Sequence, residues 1–432
     1  MPASTPAQSA AWSPGRRVAL RFATLYFALY ALPFPLDVPP GGELLAGLYR
    51  SAWDAVVPWV GNTLLGIDYE IAVGPNGSGD TTADYVKLVM MLGLALLGTG
   101  LWSALDRRAS CPRLAAWLTV WARYWLGTVM VAYGFAKVFC LQFPFPDTIR
   151  LTDAYGESSP MGLLWTFMGY SPGYNVFTGG VEVLGGLLLL WRRTTTLGAL
   201  VTVGAMTNVV MLNFCYDVPV KLFSSHLLVV ASLLAAQDAK RLLGVLVLGR
   251  AVPAREVSPV LDGPRSRRLR RPLKVLFLGL LLLTHVGMSM QAWSSYGPGA
   301  PPPPLYGAYE VSEHERDGGE APVLQTDESR WVQLAFGRWG RVRVHTLGGE
   351  ARSYMAEIDE EAGTLVLTSR PAAGEDLTTH VLTFERPEEG TLVIAGTIDG
   401  VRHRVVLQRR DEEQMLLVRR GFHWINELPH NR

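Results

Sequence analysis

The stretch Thr195-Thr-Leu-Gly-Ala-Leu-Val-Thr-Val-Gly-Ala-Met-Thr-Asn-Val-Val-Met-Leu-Asn-Phe-Cys-Tyr216 contains no charged residue. A hydrocarbon core of about 30 Å takes about 20 apolar residues at the helical rise. Backbone facing lipid must satisfy its own hydrogen bonds, so this stretch reads as a membrane-spanning helix. Working outward, six more segments qualify or nearly do: 18–36, 85–105, 124–143, 174–191, 218–236 and 273–293. The chain has 432 residues, 49% hydrophobic and 18% charged, and the charges gather after about residue 293. The expected fold is an α-helical polytopic membrane bundle of about seven helices over residues 1–297. A Pro-rich linker at 298–304 then leads into a β domain at 305–432.

Loop charges predict the orientation. Arg16 and Arg17, then Arg107, Arg108 and Arg113, then Arg192 and Arg193 flank alternate ends of the spans. Lys240, Arg241 and the run Arg265, Arg267, Arg268, Arg270 and Arg271 separate the sixth from the seventh. All fall on one side if the N-terminus is cytoplasmic, whereas the opposite loops hold mainly Arg50, Arg150 and Lys221. The expectation is a multi-pass protein of the bacterial inner membrane, N-terminus cytoplasmic and β domain periplasmic. The apolar stretch after Arg17 ends in Pro33-Phe-Pro35 without a small-residue cleavage pattern, so it reads as an anchor. Residues 44–65, interrupted by Asp54 and Pro58, read as an interfacial or re-entrant helix, with a short eighth span as the rival. Residues 144–172 read as a lid over the bundle or a solvated connector. A net charge of +1 gives no reason to expect nucleic acid.

Beyond the linker the hydropathy period changes to two, at 331–336, 341–346, 364–368, 380–384, 391–398 and 402–408, with Gly-containing turns between. Seven to nine antiparallel strands in a small barrel or sandwich are expected. The terminus, Gly421-Phe-His-Trp-Ile-Asn-Glu-Leu-Pro-His-Asn-Arg432, either frays or folds back onto the barrel mouth or the bundle's outer surface.

Ionisable groups within a membrane are costly and mark candidate sites. Lys137 lies toward the outer end of the third span, with Tyr133 one turn earlier on the same face. Glu182 sits mid-span in Gly179-x-x-Glu182-x-x-x-Gly186, where glycines allow close helix approach. Asn208 and Asn213 follow in the fifth span, then Asp217, Lys221 and His226. A Lys137–Glu182 ion pair is expected. The group either locks the helices together or forms an outward-facing polar pocket for a small polar molecule, a quinone head group or a proton, with His226 as acceptor. Cys140 and Cys215 both end spans at the outer face, which admits a disulfide or redox pair as well as two free thiols, while Cys111 lies on the inner side. His314, His345, His380, His403, His423 and His430 show no metal-ligand spacing, and no nucleotide, zinc-protease or serine-hydrolase motif is present.

The combination Tyr133-Gly-Phe-Ala-Lys137, Glu182 in a Gly-rich helix and Asn213-Phe-Cys-Tyr-Asp217 resembles the DoxX-like family of four-helix membrane proteins, over roughly residues 120–240. Together with the ending Gly421-Phe-His-Trp-Ile-Asn-Glu, it looks like the longer bacterial DoxX-type proteins that carry an outer β domain. Some family members are associated with thiosulfate:quinone oxidoreductase. The resemblance implies a redox role contacting a quinone, with Lys137, Glu182 and His226 in the pocket and Cys140 and Cys215 as redox pair. Tyr133, Asn208, Asn213, Asp217 and Lys221 would bind the ligand. The lipid bilayer and a quinone or a membrane or periplasmic protein are then the expected partners. The competing expectation is a non-enzymatic scaffold acting through the outer β domain.

Overall fold

The structure is a computed structural model that describes residues 11–37, 41–253, 260, 263–321, 327–369 and 377–431. The side chain of Arg267 and the terminal Arg432 lie outside the described residues. The chain divides into two compact units, one of Met1–Gln142 with Gly173–Gln291 and one of Phe143–Pro172 with Ala292–Arg432.

Helices run α1 (Pro14–Ala31), α2 (Gly42–Thr63), α3 (Thr82–Leu105), α4 (Pro112–Val138), α5 (Thr148–Thr152) and α6 (Pro160–Tyr170). They continue as α7 (Pro172–Leu190), α8 (Thr195–Cys215), α9 (Lys221–Ala236), α10 (Ala239–Leu242), α11 (Pro264–Ser295) and α12 (Leu416–Arg419). Local chemistry sets several starts. Ser13 accepts a bond from the Arg16 amide ahead of Pro14, and Thr81 with Asp84 forms a reciprocal capping box on α3.

Among the described residues, α3, α7, α8 and α11 are each long and apolar enough to cross a membrane. A fifth candidate is α9 with Ala239–Val247, bent by 68° between them. The expectation of about seven spans is therefore met by four or five on length and hydropathy. The shortfall has a chemical cause. Helix α1 carries Arg16, Arg17 and Arg21, and α4 carries Arg123 and Lys137 among several tryptophans, so neither holds a long run of high hydropathy. Helix α2 covers the 44–65 stretch and tolerates Pro58. Its Trp53 and Val57 pack with Ile71, Val86 and Met91.

Helices α4 and α7 meet through two glycine pairs. A Cβ on Gly134 would lie 2.6 Å from the Gly179 carbonyl oxygen, and one on Gly186 2.7 Å from that of Gly127. The missing side chains let the backbones touch, as small residues do in membrane bundles. This contact, read from the sequence on the α7 side, is what brings Lys137 to Glu182.

The second unit is an eight-stranded antiparallel barrel. Strands β1 (Gly307–Arg316), β2 (Gly319–Glu320), β3 (Trp331–Phe336), β4 (Arg341–Thr346) and β5 (Ala351–Asp359) are followed by β6 (Thr364–Ser369), β7 (Thr379–Glu385), β8 (Thr391–Ile398) and β9 (Val401–Arg410). Each pairs with the next from β3 onward, β1 pairs with β3, and β1 with β9 closes the ring; β2 is a two-residue strand that turns back antiparallel on the end of β1. Closure, which a sandwich lacks, leaves no long strand edge unpaired. Inward residues such as Leu334, Phe336, Val344, Leu365, Leu392 and Leu407 are almost fully buried, as expected where eight strands leave just enough room for side chains.

Residues 143–172 belong to this barrel unit. Asp147 pairs with Arg341 at 2.6 Å and Asp153 with Arg343 at 2.5 Å. The Thr148 hydroxyl donates to the Phe336 carbonyl at 2.9 Å. Two carboxylates on the strap thus meet two guanidinium groups of β4. The tail does not fold back as a packed element, since Phe422, Trp424, Ile425 and Leu428 are all exposed.

Candidate functional site

Lys137 Nζ reaches both carboxylate oxygens of Glu182 at 2.7 Å, with side chains only 7% and 4% exposed. Each charge neutralises the other where neither could remain alone. The pair expected from the sequence exists, and it spans the α4–α7 glycine contact.

Of the remaining candidates, Tyr133 lies close enough to Glu182 to feel its charge, while the others make their contacts elsewhere. Asn213 donates to the Ser224 hydroxyl at 3.0 Å, tying α8 to α9. Lys221 meets Asp217 at 2.9 Å, and Asp217 is otherwise exposed. Asn208 is exposed on α8 and joins no group. Tyr133 stacks on Phe223 with centroids 5.7 Å apart. Cys140 and Cys215 are both free thiols, with no disulfide between them. Cys140 instead meets Asn175, and Cys215 is exposed at the end of α8.

One structural role was hidden from the sequence. Val220 gives α9 no side-chain cap. Asp80 supplies it from the segment before α3, accepting from the Lys221 amide at 2.7 Å and the Leu222 amide at 2.8 Å. A carboxylate at a helix N-terminus satisfies free amides and opposes the positive end of the helix dipole. Asp80→Ala is expected to cost about 1–2 kcal/mol, measured by thermal unfolding of the purified chain. An unchanged midpoint would show that water caps α9 equally well.

His226 is engaged on both nitrogens. Its Nδ1 lies 2.6 Å from the Leu222 carbonyl oxygen, which can only accept, so Nδ1 carries the proton. Nε2 then accepts from the Tyr26 hydroxyl at 2.5 Å. The ring also stacks on Tyr30 at 4.2 Å between centroids.

Tyr30 also lines a cavity of about 410 Å³ with Phe34, Trp125, Phe223, Asp37 and Thr128. Two buried polar atoms in this wall, Asp37 Oδ1 and Thr128 Oγ1, have no hydrogen-bond partner. A buried polar atom left unsatisfied is costly, and this aromatic wall holds two of them. Lys137, Glu182, Asn208 and His226 do not line it. Asp37 and Thr128 carry no motif that would single them out in the sequence. Among the described residues no cluster of histidine, cysteine and carboxylate groups could hold a metal ion.

No family model matches the chain, and no solved structure matches it. Over 123 residues it is 35% identical to YwoB, an uncharacterized protein of Bacillus subtilis (strain 168), a match covering 28% of this chain and 78% of that protein. At that identity and coverage of the relative, this chain belongs to the YwoB family.

Proposed function

We propose that the chain is a redox-linked membrane protein that binds a quinone or quinol ring in the aromatic cavity between α1, α4 and α9. The carrying observation is the pairing of aromatic walls with two unpartnered polar atoms. The Asp37 carboxylate can accept from a quinol hydroxyl, and the Thr128 hydroxyl can donate to a quinone carbonyl. Tyr30 forms the wall against which His226 stacks, and Lys137–Glu182 fixes the neighbouring helices. The resemblance to DoxX-like proteins supports the same reading, with a core at about 120–240.

In this reading the protein crosses a bacterial inner membrane seven times, with its N-terminus cytoplasmic and the barrel periplasmic. Loop charges support that orientation. The strap and the barrel share a unit, so the chain between them must cross an even number of times. Helices α7, α8, the bent α9 pair and α11 supply four crossings.

The test is equilibrium binding of a short-chain ubiquinone to the full chain in a neutral detergent. Saturable binding is expected, weakened at least about tenfold, or ~1.4 kcal/mol, by Thr128→Phe, which fills the cavity, and unchanged by Leu97→Ala on an exposed face. No saturable binding, or equal binding by Thr128→Phe, overturns the proposal.

A second reading, a scaffold acting through the barrel, is favoured by the exposed Trp339, Phe422, Trp424 and Ile425. A photocrosslinker at Trp424 in native membranes should then give one discrete adduct; finding none counts against it.

A further inference from the structure

A second cavity, of about 1770 Å³, shares no lining residue with the aromatic one. Its described lining includes seven cations, Arg16, Arg123, Arg192, Arg193, Arg270, Arg271 and Lys274, and no carboxylate. In a chain whose 39 Lys and Arg are nearly balanced by 38 Asp and Glu, seven cations and no carboxylate among the described lining residues are a strong local bias. Six of the seven cations cluster at the N-terminal ends of α1 and α11 and just beyond the C-terminal end of α7. The seventh, Arg123, is well inside α4 and only 5% exposed, with its Nε donating to the Leu189 carbonyl at 3.0 Å.

The rest of the wall is apolar and runs away from the charges. Along α1 the lining passes from Arg16 through Leu20 and Ala23 to Phe27, and along α11 from Arg270 through Leu273 to Phe277. At 1.5 Å per residue, Arg16 to Phe27 spans roughly 16 Å. A soluble anion would have no use for that apolar depth, and a neutral lipid would bring no net charge to the cationic end. We propose that this cavity is a binding site for an anionic phospholipid, with its phosphate among the arginines and an acyl chain along α1 and α11. Basic pockets between spans on one face of a membrane bind such head groups, and guanidinium forks suit phosphate oxygens. Lys274 is held over the Trp191 ring at 3.9 Å, which keeps its ammonium at the cavity wall.

The test uses the full chain purified in a neutral maltoside detergent, with thermal unfolding followed as lipid is added. Dioleoyl phosphatidylglycerol should raise the midpoint in a saturable manner, whereas dioleoyl phosphatidylcholine and inorganic phosphate should not. The triple variant Arg193→Gln, Arg270→Gln and Arg271→Gln, all exposed positions, should bind phosphatidylglycerol more than about tenfold more weakly. Arg107→Gln with Arg113→Gln, exposed cations outside the lining, should leave binding unchanged. Equal stabilisation by both lipids, equal loss in both variants, or stabilisation by phosphate alone would overturn the assignment; the last would make it a soluble-anion site.

Discussion

Glu182→Gln alone, or Lys137→Met alone, is expected to destabilise the membrane unit by roughly 3–5 kcal/mol, because each leaves one buried charge without its partner. The double variant Lys137→Met with Glu182→Leu should recover most of that loss. The two side chains are nearly excluded from solvent, and apolar groups of similar size suit the same space. Unfolding of the purified chain in a denaturing detergent series would read the three variants side by side. A double variant as unstable as either single would show that the pair does more than neutralise itself. The α4–α7 glycine contact should persist in the double variant, since Gly134 and Gly179 hold the helices together independently of charge.

Lowering the pH from 7 toward 4 is expected to destabilise the barrel by up to about 3 kcal/mol through His314 alone, since each tenfold loss of proton affinity on folding is worth about 1.4 kcal/mol. His314 is fully buried. Its Nδ1 takes the Trp331 amide proton at 3.3 Å, so Nε2 carries the ring proton toward His403 Nδ1 at 2.9 Å. Burial, then His403, Arg316 and Arg330, hold its pKa down to about 4 from an ordinary 6.5. A histidine with a lowered folded pKa binds its proton more readily when unfolded. Its contribution is therefore complete above about 6.5 and is lost as the pH falls toward 4. Burial lowers His403 as well, which reinforces the same window. Thermal unfolding of the full chain at a series of pH values, compared with His314→Phe, isolates the effect. A wild type whose pH profile matches that of the variant would contradict it. Asp327 is held low against its desolvation by Ser329 and the Arg316 guanidinium, so its contribution is lost only at more acidic pH.

Hydropathy made the spine of the fold readable. The stretch from Thr195 became α8 almost to the residue, and strands β3, β4 and β8 fall where the period-two pattern put them. Hydropathy sees only the apolar part of a helix, however. Helix α4 begins at Pro112 and α11 at Pro264, well before the apolar runs at 124 and 273. A span starting at residue 124 leaves Arg123 outside, whereas it is a buried cation in mid-helix. The Lys137–Glu182 pair was legible because both charges stand alone in apolar runs and need each other. The aromatic cavity was not, because Tyr30, Asp37, Trp125 and Thr128 come from two stretches of chain whose contact no local spacing reports. His314 and His403 likewise meet only because β1 closes on β9, setting Arg316 opposite His403. The strap's tie to the barrel was hidden for the same reason: Asp147 and Asp153 acquire meaning only beside Arg341 and Arg343.

The central claim is that a quinone ring sits between α1, α4 and α9. Photolabelling the full chain in native-like membranes with an azidoquinone, followed by peptide mapping, tests it most directly. The account predicts label confined to residues 30–37, 125–129 and 223, and displaced by excess unlabelled quinone. Label concentrated on the barrel, or spread over the lipid-facing helices without displacement, would contradict it.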